Sequence, residues 1–237
     1  MTGGVRGSRG ATRRRSIEVV GAGGRPADVL RVVRAGAAGR RLRRWYAALA
    51  AAGALGTVAA AWQTVERIAW AASGSEGVAG SVCEVNSVLS CSSVYSHWQS
   101  SALGLPNSVV ALPVFALIAT AGLAGALGSV LDRRFVRAVA TVTVGMAAFI
   151  AWYLVQTGLV IGVLCLFCVG CGVAILVAGA AVTRVTVLSG AVRPAGSGGH
   201  AGSRVARALA AVVASGADLV VWAGVAGVLT LVLVLGL

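Results

Sequence analysis

An all-α bundle of helices crossing a lipid bilayer is the fold this sequence predicts, on three observations. Hydrophobic residues make up 58% of the 237 and charged residues only 11%, with a mean hydropathy of +0.89, far outside the range of soluble globular domains. Five apolar stretches, roughly residues 45–70, 107–130, 136–156, 159–183 and 219–237, approach or exceed the ~20 residues a helix needs to cross ~30 Å of hydrocarbon. Their richness in Leu, Val, Ala and Gly reads as helix, because lipid offers the backbone no hydrogen-bond partner and a helix satisfies its amides internally.

Charge orients the spans. The net charge of +13 suggests nucleic acid for a soluble domain, but its placement argues against that partner. Twelve of the twenty Arg precede Trp45, Arg133, Arg134 and Arg137 flank the turn between the second and third spans, and Arg184, Arg193, Arg204 and Arg207 lie between the fourth and fifth. Positive charge at alternate ends of the spans is the positive-inside pattern. It predicts a plasma (inner) membrane protein with a cytoplasmic N-terminus and an extracytoplasmic C-terminus.

Taken in order, residues 1–44 show no sustained hydrophobic period and read as a flexible, Arg-rich cytoplasmic tail. Arg40, Arg41, Arg43 and Arg44, followed by Trp45 and Tyr46, anchor the first span against anionic lipid. Ala69-Trp70-Ala71 mimics a signal-peptidase site, but the apolar run before it exceeds the ~7–15 residues of a signal peptide. Glu66 and Arg67 mark the water boundary. Residues 73–106 form the long polar stretch on the outer side, carrying Cys83, Cys91, His97 and Trp98. Within it, residues 92–98 have an apolar, aromatic side suited to a short interfacial helix. Short connections, with the outer turn near Thr157-Gly158, make spans two, three and four antiparallel neighbours. Residues 186–208 read as a cytoplasmic linker and 209–237 as the region of the fifth span, with Asp218 at its cytoplasmic end. His97 reads as an interfacial polar residue, with a proton-donor role left open by its place beside the loop cysteines, His200 as solvated in a loop, and Trp152 and Tyr153 as aromatic-belt residues or pocket walls.

The chemistry lies in the cysteines. Cys165-Leu166-Phe167-Cys168 places two thiols at i and i+3, a spacing that shares one helix face and allows a reversible disulfide. Counted from Leu159, the pair sits a turn or two inside the fourth span near its positive end, where thiolate is favoured. Two small buried apolar residues are the other reading. Cys83 and Cys91 lie on the same side of the membrane, in a loop able to cover the mouth of that span. They form either a plain structural staple or the outer half of a relay. Two pairs move electrons by thiol–disulfide exchange, and the membrane-embedded pair then needs a lipid-soluble acceptor, which a quinone provides.

Cys83-Glu84-Val85, then Cys91-Ser92-Ser93-Val94-Tyr95-Ser96, then Gly104-Leu105-Pro106-Asn107-Ser108 opening a span, and finally Cys165-Leu166-Phe167-Cys168 resemble, in that order, the signatures of the vitamin K epoxide reductase family. The resemblance covers about residues 45–185. It implies a four-helix core of that type, with the fifth C-terminal span added, and a disulfide-forming quinone reductase as in bacterial members. DsbB-type oxidases carry the membrane CxxC before the loop pair, so the order separates the two. The resemblance further implies that Cys83 accepts electrons from a thioredoxin-fold, DsbA-like partner, that Cys91 exchanges with Cys165, and that Cys168 faces a quinone of menaquinone or ubiquinone type. Asn107 is implied as a hydrogen-bond donor to the quinone; an N-cap after Pro106 is its plainer reading. The family's second quinone contact, a Tyr in vertebrate members, is Gly172 here, and Ala111 replaces a frequent Gly. Cys171 is an extra thiol, read as a buried small residue. Some bacterial members continue into a fused thioredoxin-like domain, and this chain reads as using a separate partner.

Two rivals belong to other classes. A Cu(I)- or other metal-binding membrane protein would use CxxC thiolates as soft ligands, but only two Met and two His are present and no Cys lies on the cytoplasmic side. No metal site is expected. A non-catalytic scaffold would keep Cys83–Cys91 as a static staple.

Overall fold

A computed structural model describes residues 26–74, 81–192 and 200–236, with the side chains of 26–35, 200–203 and 205 left aside. Compact contacts divide the chain between Arg41 and Leu42: the first unit contributes the opening turns of the first helix, and the second holds the other helices and the cysteines. The helices are α1 (Pro26–Ala72), α2 (Cys91–Tyr95), α3 (Asn107–Ala126), α4 (Arg133–Gln156), α5 (Leu166–Leu188), α6 (His200–Ser215) and α7 (Ala217–Gly236), with a 3-10 turn at Trp98–Ser101 and a π turn at Thr157–Ile161. Five segments, Gly36–Ala72, Asn107–Ala126, Arg133–Ile161, Leu166–Leu188 and Ala217–Gly236, are long and apolar enough to span a membrane. Among the described residues there is no strand, and a single β-bridge joins Leu89 to Leu164. The protein is an all-α multi-pass membrane bundle.

Small residues let the spans approach. A Cβ on Gly53 of α1 would strike the backbone of Ala119 on α3, and one on Gly122 of α3 would strike that of Ala50. Backbones this close gain van der Waals contact that bulkier side chains would forbid, which drives helix association where lipid competes for every apolar group. The start of α4 is capped by Asp132, whose carboxylate accepts from Arg134 N at 2.7 Å, and the end of α3 by Arg43, whose Nε donates to Ala126 O at 2.8 Å. α4 packs against both α3 and α5, as the short connections require.

Four boundaries differ from those expected. The tail assigned to residues 1–44 is helical over its described part from Pro26: Ala, Leu and Arg favour helix without any apolar stripe, so a missing period is no evidence of missing helix. Residues 1–25 lie outside the described residues. The turn placed near Thr157-Gly158 comes later. There α4 widens into the π turn, Thr157 O accepts from both Gly162 N and Val163 N, and Gly162 ends it at φ 73°, a conformation that favours glycine. As a result α5 begins at Leu166 with Cys165 as its N-cap. Finally, 209–215 belong to the separate helix α6, which a turn at Gly216 divides from α7. Residues 75–80 of the loop between the first two spans, 193–199 of the linker, and Leu237 lie outside the described residues.

At the end of α7 opposite the cysteines, Asp218 does more than mark a boundary. It is 3% exposed and takes a two-pronged ion pair from Arg184 of α5, Nε to Oδ2 at 2.7 Å and Nη2 to Oδ1 at 2.8 Å. The Arg184 guanidinium also lies 4.6 Å from the ring centroid of Trp45. Buried charge is costly unless paired, so this contact fixes α7 against α5 in one register.

Candidate functional site

One end of the bundle gathers the cysteines. Cys83 and Cys91 form a disulfide, with Cα atoms 5.6 Å apart, while Cys165, Cys168 and Cys171 are free and buried. Cys91 Sγ lies 3.0 Å from Cys165 Sγ, and the sulfurs of Cys83, Cys91 and Cys165 all lie within 4.8 Å of one another. Cys83, expected in a mobile loop, is fully buried between the exposed Val82 and Val85.

Backbone geometry brings these sulfurs together. Asn86 Oδ1 accepts from Val88 N and Leu89 N at 2.9 and 2.8 Å, a side-chain turn that folds the eight-residue separation between Cys83 and Cys91. Leu89 then pairs in parallel with Leu164: Ser90 N donates to Leu164 O at 3.0 Å and Leu164 N to Val88 O at 2.8 Å. Cys91 follows directly as the first residue of α2, and Cys165 directly as the N-cap of α5. The two-bond bridge therefore sets the register of the two cysteines. Cys165 stands at the helix end itself rather than a turn or two inside, and Cys168 is in the first turn, where unpaired amides favour negative charge.

Span one holds this assembly with one face. Gln63, 8% exposed, points its amide nitrogen at Cys168 Sγ (3.0 Å) and Cys165 Sγ (3.6 Å). Four residues on, Arg67 Nη1 donates to Tyr95 O, the last residue of α2, at 2.5 Å. Its guanidinium sits 4.4 Å from the Trp70 ring centroid and 5.2 Å from that of Tyr95. Arg67 is thus a clamp on α2, a correction to its reading as a water-boundary marker. Burial first, and then the negative charge of neighbouring thiolates, pushes the Tyr95 hydroxyl above its ordinary range, so it stays a neutral donor. At the other end of α2, Glu84 accepts from Ser92 N at 2.7 Å. Desolvation alone would raise its carboxyl, but hydrogen bonds from the Ser92 amide, the Ser90 and Ser92 hydroxyls and the Cys91 amide outweigh that and hold it below its ordinary value.

Asn107 does not cap its own helix. Pro106 occupies the cap position without a side-chain bond, and Asn107 Nδ2 donates instead to Gln99 O at 2.7 Å. Among the described residues two buried side-chain oxygens have no hydrogen-bond partner, Asn107 Oδ1 and Gln99 Oε1. Buried acceptors normally find donors, so both oxygens keep the capacity to accept a hydrogen bond. Cys171 is buried, as expected. A Cβ at Gly172 would lie 2.9 Å from Leu154 Cδ1, the end of a side chain that would have to shift to admit it. Tyr153, buried on α4, lies near Cys168, whereas the Trp152 ring meets that of Trp98 at a tilted angle of 49°, centroids 6.3 Å apart. His97 is exposed, with Nδ1 2.9 Å from Ser93 O.

No motif marks Gln63 or Arg67. A lone amide and a lone cation inside an apolar run were the available signals, since polar groups in a span are expensive and tend to be functional. Among curated proteins and among solved structures, no match to this chain was found. The family model described as the Vitamin K epoxide reductase family matches residues 35–183, a range that contains both cysteine pairs, the bridge that aligns them, the first three spans and most of the fourth. A multi-pass membrane bundle with a loop disulfide in contact with a CxxC, matched over most of its length by that model, belongs to the vitamin K epoxide reductase family of membrane thiol–disulfide oxidoreductases.

Proposed function

We propose that the protein is a thiol:quinone oxidoreductase that reoxidises a separate thioredoxin-fold, DsbA-like protein on the extracytoplasmic side, and so drives disulfide formation there. The 3.0 Å contact between Cys91 and Cys165 is the observation that carries this reading, because a disulfide sulfur touching a second thiol is the geometry from which exchange proceeds. When Cys165–Cys168 is oxidised, a partner thiolate attacks Cys83, breaks Cys83–Cys91 and releases Cys91 as thiolate. Cys91 attacks Cys165, breaking Cys165–Cys168 and freeing Cys168. The partner's second thiol resolves the mixed disulfide and leaves with its own disulfide formed. Cys83 then attacks Cys91, restoring Cys83–Cys91 and leaving Cys165 and Cys168 as the reduced pair. Cys83 is buried, so the first attack requires its segment to open.

Reoxidation of the inner pair needs a lipid-soluble acceptor of two electrons and two protons, and a quinone of menaquinone or ubiquinone type supplies that chemistry. The unpaired oxygens of Asn107 and Gln99 suit the hydroxyls of its reduced form, and the second N–H of Asn107 suits an oxygen that gains negative charge. Cys168, with Tyr153 beside it, is the sulfur assigned to the acceptor side.

The test is quinone reduction by purified protein in detergent with a dithiol donor. Wild-type turnover that disappears in Cys168→Ala supports the reading, and no turnover with fully reduced thiols refutes it. The three clustered sulfurs also suit a soft metal ion, but two are bonded to each other, which consumes the thiolates such an ion requires. Tight Cu(I) binding by reduced protein that turns over no quinone would favour that alternative.

A further inference from the structure

We infer that Gln63 is the residue that charges and aims the inner thiol: its side-chain amide donates to Cys168, and secondarily to Cys165, to stabilise the sulfur that delivers electrons. The inference rests on the proposed quinone-reductase reading and adds a role for span one. Gln63 is buried in an apolar span, a costly place for an amide that lacks partners. The bonds shown for its nitrogen go to two sulfurs, at 3.0 and 3.6 Å. A neutral thiol is a weak acceptor, and a hydrogen bond to an ionised group is roughly twice as strong as one between neutral groups. Burial of this amide is therefore best compensated when one sulfur carries charge.

The two N–H groups match the two sulfurs, and the nearer is Cys168. The main chain of the same residue is tied to the outer half of the relay, since Gln63 O accepts from the Tyr95 hydroxyl at 3.5 Å. Four positions on, Arg67 holds the end of α2. One face of α1 thus carries both the donor to the inner pair and the clamp on the segment that bears Cys91. No electron passes through Gln63. Its part is to favour the thiolate of Cys168 before oxidation, when Cys165 and Cys168 form their disulfide and the quinone takes up two electrons and two protons.

The experiment compares Gln63→Met, which keeps the volume and removes the donor, with Gln63→Leu, which is close in size and also removes the donor. Both are made in a Cys171→Ala background with Cys83–Cys91 closed. Iodoacetamide alkylation of Cys168 at pH 7 without quinone, located by fragment mass spectrometry, should slow about tenfold in both variants, the effect of ~1.4 kcal/mol. Opening of Cys83–Cys91 by a small dithiol should keep its wild-type rate. Unchanged alkylation in both variants overturns the inference while leaving wild-type turnover, and so the proposed function, intact. Equal slowing of alkylation and of Cys83–Cys91 opening also overturns it, because Gln63 is then only a packing residue. Should Gln63→Met fail to fold, Gln63→Leu alone decides by the same two rates.

Discussion

Replacing Arg67 by Met tests whether span one presents the outer disulfide to the inner pair. The substitution keeps the aliphatic stem and removes the guanidinium, losing the bond to Tyr95 O and the ring contacts with Trp70 and Tyr95. A hydrogen bond from a charged donor contributes about 1.5–3 kcal/mol, and a cation over a partly buried ring about 0.5–2 kcal/mol. Part of this is regained when water solvates the freed carbonyl, leaving ~2–3 kcal/mol. At 1.36 kcal/mol per tenfold, the docked arrangement of α2 becomes roughly 30- to 150-fold less favoured. The assay separates two single turnovers: dithiol-driven reduction of an oxidised Cys165–Cys168 pair, which needs Cys91 at Cys165, and quinone reduction by protein whose inner pair is already reduced, which does not. The first rate should fall by at least tenfold and the second stay within about twofold; Arg67→Lys, with charge but no planar fork, should fall between. An equal fall in both rates, or no fall in the first, refutes the clamp.

Other outcomes follow from the same geometry. Cys83→Ala should abolish oxidation of the protein partner while leaving quinone reduction by a small dithiol partly intact, whereas Cys165→Ala or Cys168→Ala should abolish both; equal loss in all three would refute the division of roles. The Glu84 carboxyl is held below its ordinary value of 4.5, so its contribution to the order of α2 is complete above that pH and is lost as pH falls through the lower folded value. Phosphine reduction of Cys83–Cys91 should therefore accelerate in wild type only below about pH 4.5, and in Glu84→Gln should be fast already at neutral pH. Removing one partner of the buried ion pair, as in Asp218→Ala, should cost about 3–5 kcal/mol in detergent unfolding, and Arg184→Met with Asp218→Leu should recover most of it.

Much of the molecule was legible in the order of its residues. Hydropathy alone set the number of spans, because a bilayer admits only helices of sufficient apolar length, and the two cysteine pairs stood out by their spacing and by their place at one end of the spans. What lipid does not constrain was not legible. The start of α5 depends on a π turn and on Gly162, so Cys165 caps a helix instead of lying within it. Asn107 opens α3 with Pro106 at its cap position, yet donates to Gln99 O, eight positions away. Gln63, Arg67, Leu89 and Leu164 belong to no motif; they act through contacts between residues far apart in the chain, such as the 102 positions from Gln63 to Cys165. Local chemistry determined which atoms can react. Only the packing of span one against the outer segment and the head of α5 decided which of them meet, since distance between side chains is fixed by tertiary contacts that no single stretch of sequence contains.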